Sequence, residues 1–357
     1  MTPADIGLRR LARQRLTGRR CATPEEVVGW LGAVQSQEYL GAIWSLGMRM
    51  YDGTTDDVIE RAFTEGTILR THVMRPTWHF VAPADIRWLL ELTAPRIKAT
   101  IAYYDRQHGL DDALYARCNE IIARALEGGK HLTRAELGKA VAEAGIEVEG
   151  QRLAHVILHA ELDAVVCSGP RRGKQFTYAL LAERAPTART LPRDEALAEL
   201  TRRYFTGHGP ATARDFTWWS GLTMADARAG LEMVGADLSH EEIAGQTYWF
   251  PASLPPAVEP SETAFLLPTY DEFLVGYQGF GAALTGGRGN GERATFSATI
   301  VLGGRVVGNW RRTITRGVVV VELAPFAPLA ASEHEAVFDA ASRFGAFLGM
   351  SVECVGV

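Results

Sequence analysis

Two glutamines separated by a single residue stand out in the segment Val34-Gln35-Ser36-Gln37-Glu38. A carboxamide both donates and accepts hydrogen bonds, so a pair can hold and orient a water molecule, although neither is a titratable base near neutral pH. Residues two apart point about 200° from each other on an α-helix, whereas extended backbone aligns them. Gln35 and Gln37 can therefore share a target only where the chain has left helical geometry. Taken alone, such a pair is more often an ordinary polar helix end.

Stronger catalytic signatures do not occur in the sequence. It has no GxxxxGK[ST] phosphate loop, no H-E-x-x-H metal motif and no G-x-S-x-G nucleophile elbow. The glycine-rich stretch Gly286–Gly291 lies among strand-like segments and is predicted to be a turn. Widely spaced cysteines indicate reduced, buried thiols rather than a zinc site or disulfides; they are Cys21, Cys118, Cys167 and Cys354. We expect neither a metal nor a cofactor.

The acidic residues Asp271 and Glu272, which follow Tyr270, could form a catalytic pair. Adjacent side chains on a strand face opposite ways, which favours a structural role, with Arg311 or Arg312 as the expected partner.

The elements that must position the glutamines begin with an amphipathic helix over residues 4–16. Thr23, a following proline and a glutamate three residues on form a capping box, which predicts a helix from Pro24 to about Val34. A helical run, VIERAF, then precedes the segment TILRTHVMRPTWHFV, which is rich in β-branched and aromatic residues and has Arg75-Pro76 as its turn. Helices followed by a β-hairpin are typical of the winged-helix unit.

The same order recurs twice. Between residues 114 and 181, three helices, one capped by Thr133, precede two strands joined by the turn Pro170–Gly173. Between Asp194 and Phe250, helices capped by Thr212 and Thr223 precede a short hairpin around Gly245. Trp218 and Trp219 are expected in the core of this third copy.

A linker, SLPPAVEPSE, marks the next boundary, and four segments beyond it are predicted to be antiparallel strands: TAFLLP, FLVGY, ATFSATIVLGGRVVGNWRRTI and GVVVVELAPF. A last helix spans Glu333–Leu348. The predicted fold class is α+β, with three winged-helix units and a β-rich C-terminal region. The predicted domains are residues 1–110, 111–190, 191–256 and 257–357.

The net charge of −5 argues against a protein that coats nucleic acid by bulk attraction, so the distribution of charge matters more. Basic residues gather in four clusters: Arg9, Arg10, Arg13, Arg15, Arg19 and Arg20; Arg171, Arg172 and Lys174; Arg202 and Arg203; Arg311, Arg312 and Arg316. Each cluster alone could be an ordinary solvated face of the protein. The clusters form one DNA-binding surface only if the fold brings them together. No apolar run is long enough to cross a bilayer and no hydrophobic signal core is present, so we expect a cytoplasmic protein.

The segments LGAVQSQEYLGAIWSLGMRM, THVMRPTWHFVAPADIRWL, LLPTYDEFLVGY and RVVGNWRRT resemble the winged-helix bacterial DNA glycosylases typified by AlkZ and YcaQ, over nearly the whole chain. The resemblance implies tandem winged helices in a C-shaped arrangement, with DNA across the concave face. It also assigns the family's catalytic motif to Gln35 and Gln37, with Ser36 where the family prefers an apolar residue. Gln37, in place of the aspartate of the YcaQ branch, puts the chain nearer the AlkZ branch.

The resemblance supports a DNA-facing role for the first hairpin, where four polar residues alternate with apolar ones: His72, Arg75, Thr77 and His79. For each histidine alone, a structural role is the favoured alternative. On the second hairpin, Arg171, Arg172 and Lys174 are candidates for phosphate contacts, with a solvated turn as the alternative.

We therefore expect a monofunctional glycosylase whose substrates are bulky cationic alkylpurines in double-stranded DNA, including N7-alkylguanine, interstrand crosslinks and natural-product adducts. We expect a monomer that associates with the nucleoid, because tandem units remove the usual need for a dimer. The alternative is a non-catalytic winged-helix protein, either a transcription regulator or a damage-binding factor.

Overall fold

A computed structural model of the chain describes residues 3–253, 263–278 and 297–356. By its internal contacts the chain forms two compact units. Unit 1 comprises residues 1–60, 198–219 and 223–357, and unit 2 comprises residues 61–197 and 220–222. The predicted linker and the glycine-rich stretch at 286–291 lie outside the described residues, apart from the first residue of the linker. The predicted four-part division stays a prediction.

The described helices are α1 (Pro3–Arg13), α2 (Pro24–Leu31), α3 (Tyr39–Gly47), α4 (Asp56–Glu65), α5 (Ile86–Gln107), α6 (Asp112–Leu126), α7 (Arg134–Glu143), α8 (Gly150–Leu162), α9 (Leu181–Arg184), α10 (Arg193–His208), α11 (Ala213–Ser220), α12 (Met224–Val234), α13 (Glu272–Val275) and α14 (Ala331–Phe347). None of these helices is long and apolar enough to cross a membrane.

The described strands are β1 (Val34–Gln35), β2 (Leu69–His72), β3 (Trp78–Val81), β4 (Leu132–Thr133), β5 (Val166–Ser168), β6 (Thr177–Leu180), β7 (Leu238–Ile243), β8 (Gln246–Pro251), β9 (Ala264–Leu267), β10 (Thr299–Leu302), β11 (Arg305–Thr315), β12 (Val318–Pro325) and β13 (Ser351–Val355).

Helix starts follow the predicted capping residues. The hydroxyl of Thr23 accepts from the backbone N–H of Glu26 and begins α2. Thr133 begins α7 with a complete capping box, and Thr223 begins α12 in the same way. Thr212 begins α11 by exchanging hydrogen bonds with a residue three positions on. Because each cap satisfies backbone N–H groups that the helix leaves unpaired, local sequence sets these boundaries.

In unit 1 a five-stranded sheet of order β13-β12-β11-β10-β9 carries the core of the C-terminal region. Its pairs are antiparallel except β12 with β13, which is parallel. Helix α14 packs on the sheet, with the ring of Phe344 5.3 Å from that of Trp310 and 5.1 Å from that of Trp44. The predicted final helix is confirmed, whereas β13 was not predicted.

One predicted strand is wrong. The segment FLVGY lies in helix α13 and the turn after it, because the carboxylate of Asp271 accepts from the N–H of Phe273 and caps a helical turn. Every residue of α13 is buried, so its apolar run reflects burial rather than the alternation of a strand. Trp219 is fully buried as expected, but Trp218 is 40% exposed, which contradicts its expected place in the core.

In unit 2 the two predicted hairpins are present. Strands β2 and β3 pair from Leu69 with Val81 to His72 with Trp78, and β6 lies between β4 and β5 in a small sheet. Helices α6, α7 and α8 surround an apolar core against this sheet. The helix α5, which is 22 residues long and contains Pro95, was not predicted.

Candidate functional site

The glutamine segment lies between α2 and α3 on non-helical backbone. Helix α2 ends at Leu31, and Gly32 follows with a φ of 82°, a conformation that favours glycine. Gln35 then ends the short strand β1, and Gln37 lies in a bend before α3. The segment therefore meets the condition that the two side chains need in order to share a target.

The two glutamines differ in exposure. Gln35 is 7% exposed, and its side-chain oxygen is buried without a hydrogen-bond partner among the described residues. Gln37 is exposed, and Ser36 between them is fully buried. A buried amide oxygen that lacks a protein donor is an acceptor that a water or a substrate N–H could satisfy.

The first anchor of the segment is the carboxylate of Glu272, which lies at the start of α13 and is fully buried. Its Oε1 accepts from the backbone N–H of Gln35 at 2.8 Å. Its Oε2 accepts from the indole N–H of Trp219 at 2.8 Å and lies 3.3 Å from Nε2 of His208. The backbone of Gln35 is thus bound to a carboxylate 237 residues further along the chain.

The second anchor is Glu38, which follows the segment. Its side chain accepts from the N–H of Gly41 at 2.8 Å and so caps α3, while Arg312 donates to the same oxygen at 2.7 Å. A Cβ at position 41 would lie 2.4 Å from that oxygen, so this close approach requires glycine. The segment is therefore held at both ends, with exposed Gln37 between the two anchors.

The expected pairing of the acidic residues 271 and 272 with Arg311 or Arg312 is wrong. Asp271 binds Arg49 through both carboxylate oxygens, at 2.8 and 2.9 Å, and both side chains are fully buried. For Asp271 these contacts agree with the expected structural role, but its partner lies on the turn after α3, which no local pattern indicates. Arg312 instead binds Glu38.

Further polar contacts surround these anchors. Gln14 accepts from Arg49 and donates to both the backbone oxygen of Glu272 and the hydroxyl of Tyr277. Burial raises the pKa of Tyr277 above its ordinary value, so this phenol stays neutral and donates to the backbone oxygen of His208. These contacts join the turn after α1, the end of α10 and the segment after α13 within unit 1.

On the first hairpin of unit 2, the two histidines are buried. His72 is 9% exposed, its Nδ1 lies 2.5 Å from Oε2 of Glu161, and its ring packs on Trp78. His79 is fully buried, with Nδ1 2.9 Å from the backbone oxygen of Thr77. This placement favours the structural alternative for both histidines. Arg75 and Thr77, in the turn, are partly exposed.

On the second hairpin the basic residues differ in their contacts. Arg171 is partly exposed, with its guanidinium 5.4 Å from the ring of Phe176. Arg172 is exposed but donates to Glu136 and to the backbone oxygen of His131, both at 2.8 Å. Lys174 is exposed. A DNA-binding role for these residues stays a prediction.

The described residues contain no group of three histidine, cysteine or acidic side chains arranged to hold a metal ion.

Comparisons with known proteins agree on a single class. A family model described as DNA glycosylase AlkZ-like matches residues 28–347. An interstrand DNA cross-link repair glycosylase from Streptomyces sahachiroi is 27% identical over 318 residues, which are 84% of this chain and 85% of that protein. The solved structure of the Streptomyces sahachiroi DNA glycosylase AlkZ has the same fold, with a TM-score of 0.82 at 23% identity, covering 99% of this chain and 100% of that one.

The class is that of the DNA glycosylases, hydrolases that act on N-glycosyl bonds. Within it, the chain belongs to the AlkZ-like family, whose model covers most of the sequence, including the segment from Gln35 to Gln37 and both of its anchors. The predicted family is confirmed.

Proposed function

We propose that this chain hydrolyses the N-glycosidic bond of bulky cationic alkylpurines in double-stranded DNA, including N7-alkylguanine, interstrand crosslinks and natural-product adducts. Membership of the AlkZ-like family and the cross-link repair activity named for its Streptomyces relative support the substrate class. The observation that carries the mechanism is the pair Gln35 and Gln37 on non-helical backbone, anchored on both sides.

In the proposed reaction, Gln35 and Gln37 hold a water molecule beside the sugar carbon C1′. The C1′–N bond breaks with its electron pair going to the base, which leaves as a neutral purine because alkylation had made it cationic. The water oxygen bonds to C1′ and releases a proton to solvent, leaving an abasic site without strand cleavage. Positioning and electrostatic support of the sugar cation supply the catalysis, since neither amide can remove a proton.

We further propose that the helix-and-hairpin repeats are winged-helix units in a C-shaped arrangement, divided at about residues 110, 190 and 256. DNA would bind to the turns of two hairpins, with its phosphates contacted by Arg75 and Thr77 on the first hairpin and by Arg171, Arg172 and Lys174 on the second. In this proposal His72 and His79 support the first hairpin from within the fold. The protein would act as a nucleoid-associated monomer.

Base release is tested with purified protein and duplex DNA carrying one N7-alkylguanine, followed by alkaline cleavage of abasic sites. We expect efficient release of the alkylated base and none from an otherwise identical duplex carrying uracil. Gln37→Ala should lower the single-turnover rate about 100-fold, the scale for loss of one positioned polar group. Gln107→Ala, which removes a glutamine at the end of α5 in unit 2, should not.

Efficient uracil release would contradict the requirement for a cationic base, and an undiminished rate in Gln37→Ala would contradict the role of the amide pair. DNA binding without any release of the alkylated base would instead favour the damage-binding alternative.

A further inference from the structure

Three N–H groups from separate segments of unit 1 converge on one buried carboxylate. Glu272 is fully buried, and it receives the backbone N–H of Gln35, the indole N–H of Trp219 and, at 3.3 Å, Nε2 of His208. Burying a carboxylate is costly unless its oxygens accept hydrogen bonds, and bonds to an ionised acceptor are about twice as strong as neutral ones. The charge of Glu272 therefore strengthens its hold on the backbone of Gln35.

We propose that Glu272 is a positioning residue of the glycosylase reaction, which fixes the peptide of Gln35 so that the two glutamine amides stay aligned. This inference rests on the proposed function of Gln35 and Gln37. Glu272 acts through the backbone N–H and does not itself touch the DNA base or the water.

The surroundings of Glu272 restrict its carboxylate to one orientation. The Nδ1 of His208 is buried without a hydrogen-bond partner among the described residues, so the favoured tautomer carries its proton on Nε2 and donates to Glu272. The ring of His208 is stacked on Tyr204 at 4.8 Å and 14°. Trp219, the other side-chain donor, is fully buried. With Oε2 held by these two donors, Oε1 faces Gln35.

The precision with which catalytic groups must be held sets the expected loss of rate in a Glu272 variant. Catalytic groups must be held within about 0.5 Å of productive geometry, and a displacement of about 1 Å costs about 100-fold in rate. In Glu272→Gln, the carboxamide has only one oxygen, so its NH₂ group must face either Gln35 N–H or the indole N–H of Trp219. We expect a 10- to 100-fold lower single-turnover rate, roughly the cost of such a displacement, with a DNA Kd within about twofold of wild type.

A second substitution removes one of the N–H groups that would face the NH₂ group of Glu272→Gln, and so provides a test by rescue. Trp219→Phe removes the indole N–H, so in the double variant the new amide can turn its NH₂ group toward position 219 and its oxygen toward Gln35. His208 then accepts from that NH₂ group through Nε2, with its own proton on Nδ1, which has no other partner among the described residues. We expect the double variant to recover about tenfold in rate over Glu272→Gln, although it carries one more change in the core. A merely structural role predicts the opposite, because the second substitution would add to the damage.

The experiment measures three quantities for wild type, the two single variants, the double variant and the matched control Glu335→Gln on an exposed position of α14. These are the single-turnover rate of N7-alkylguanine release, the Kd for the same DNA, and hydrogen exchange of the peptide covering residues 33–38. We expect Glu272→Gln to increase exchange in that peptide and lower the rate, with both reversed in the double variant.

An unchanged rate and unchanged exchange in folded Glu272→Gln would overturn the inference, as would a double variant no faster than Glu272→Gln. If wild type releases no alkylated base, the proposed function fails. Hydrogen exchange of residues 33–38 still decides whether Glu272 holds Gln35, because that readout does not depend on activity.

Discussion

The buried pair of Arg49 and Asp271 allows a quantitative prediction for Asp271→Ala. Both side chains are fully buried, and the two carboxylate oxygens accept from the guanidinium at 2.8 and 2.9 Å. Asp271 also caps α13 by accepting from the N–H of Phe273 at 2.9 Å. The substitution therefore leaves a buried cation without its counter-ion and removes a helix cap.

The expected loss follows from these two contacts. Removing one partner of a buried ion pair costs about 3–5 kcal/mol, and losing an N-cap costs about 1 kcal/mol. Asp271→Ala should therefore lower the free energy of unfolding of unit 1 by about 4–6 kcal/mol, a large share of the 5–15 kcal/mol typical of a whole domain. Replacing both partners, as in Arg49→Met with Asp271→Leu, should recover about 2 kcal/mol of this loss, because no unpaired charge remains.

Urea denaturation followed by tryptophan fluorescence measures this loss, since Trp44, Trp219 and Trp310 are buried in unit 1. Glu322→Ala, at an exposed position of β12, is the control and should change the free energy by less than about 0.5 kcal/mol. A loss below about 1 kcal/mol in Asp271→Ala, or a double variant no more stable than the single one, would refute the reasoning.

Three further predictions concern the site, pH and DNA. Gly276→Ala places a Cβ 2.5 Å from the backbone oxygen of Glu272 and 2.9 Å from Cδ2 of His208. It should cost about 1–3 kcal/mol while slowing base release, measured by urea midpoint and single-turnover rate. Burial raises the pKa of Asp105, but hydrogen bonds, the largest from His155, outweigh it and hold that pKa below its usual value. The stability from ionised Asp105 is present above its unfolded pKa of about 3.9 and is lost as pH falls further, so Asp105→Asn should weaken this acid dependence in urea titrations from pH 6 to pH 2. Lys174→Ala should reduce the slope of log K for DNA against log salt by about 1, measured by fluorescence anisotropy.

Matched controls exist for each of these three. Gly235→Ala adds a Cβ where no atom lies within 4 Å and should leave the rate unchanged. Asp112→Asn changes an exposed carboxylate in α6 and should leave the acid transition in place. Lys130→Ala removes an exposed lysine outside both hairpins and should not alter the salt slope. A control that behaves like its partner variant would contradict the corresponding prediction.

Local chemistry made much of the fold predictable. Thr133 and Thr223 each reveal a helix start because a capping box needs only four consecutive residues. The spacing of the glutamine pair gave only a condition, since two side chains at that spacing cannot align on a helix and can share a target only on non-helical backbone. The hairpins followed from β-branched runs and their turns.

The anchors could not be predicted in this way. Gln35 and Glu272 are 237 residues apart, and Arg49 and Asp271 are 222 apart, so nothing in the neighbourhood of either residue specifies its partner. The strand predicted for FLVGY failed for the same reason. Its apolar residues are buried on all sides by tertiary contacts, and a short buried run is compatible with either a helix or a strand.

The proposed roles account for the charged residues that hydrogen-bond beside Gln35 and Gln37, the uncharged pair proposed to be catalytic. An amide cannot gain reactivity by a shifted pKa, so Gln35 and Gln37 can contribute to the reaction only through where they are held. Glu272 and Glu38 are the groups that hold them, and charge-assisted hydrogen bonds are among the stronger ways to fix a peptide. A site built in this way offers no proton to a neutral leaving group. Its selectivity for a base that is already cationic would then arise from the absence of an acid in the pair itself.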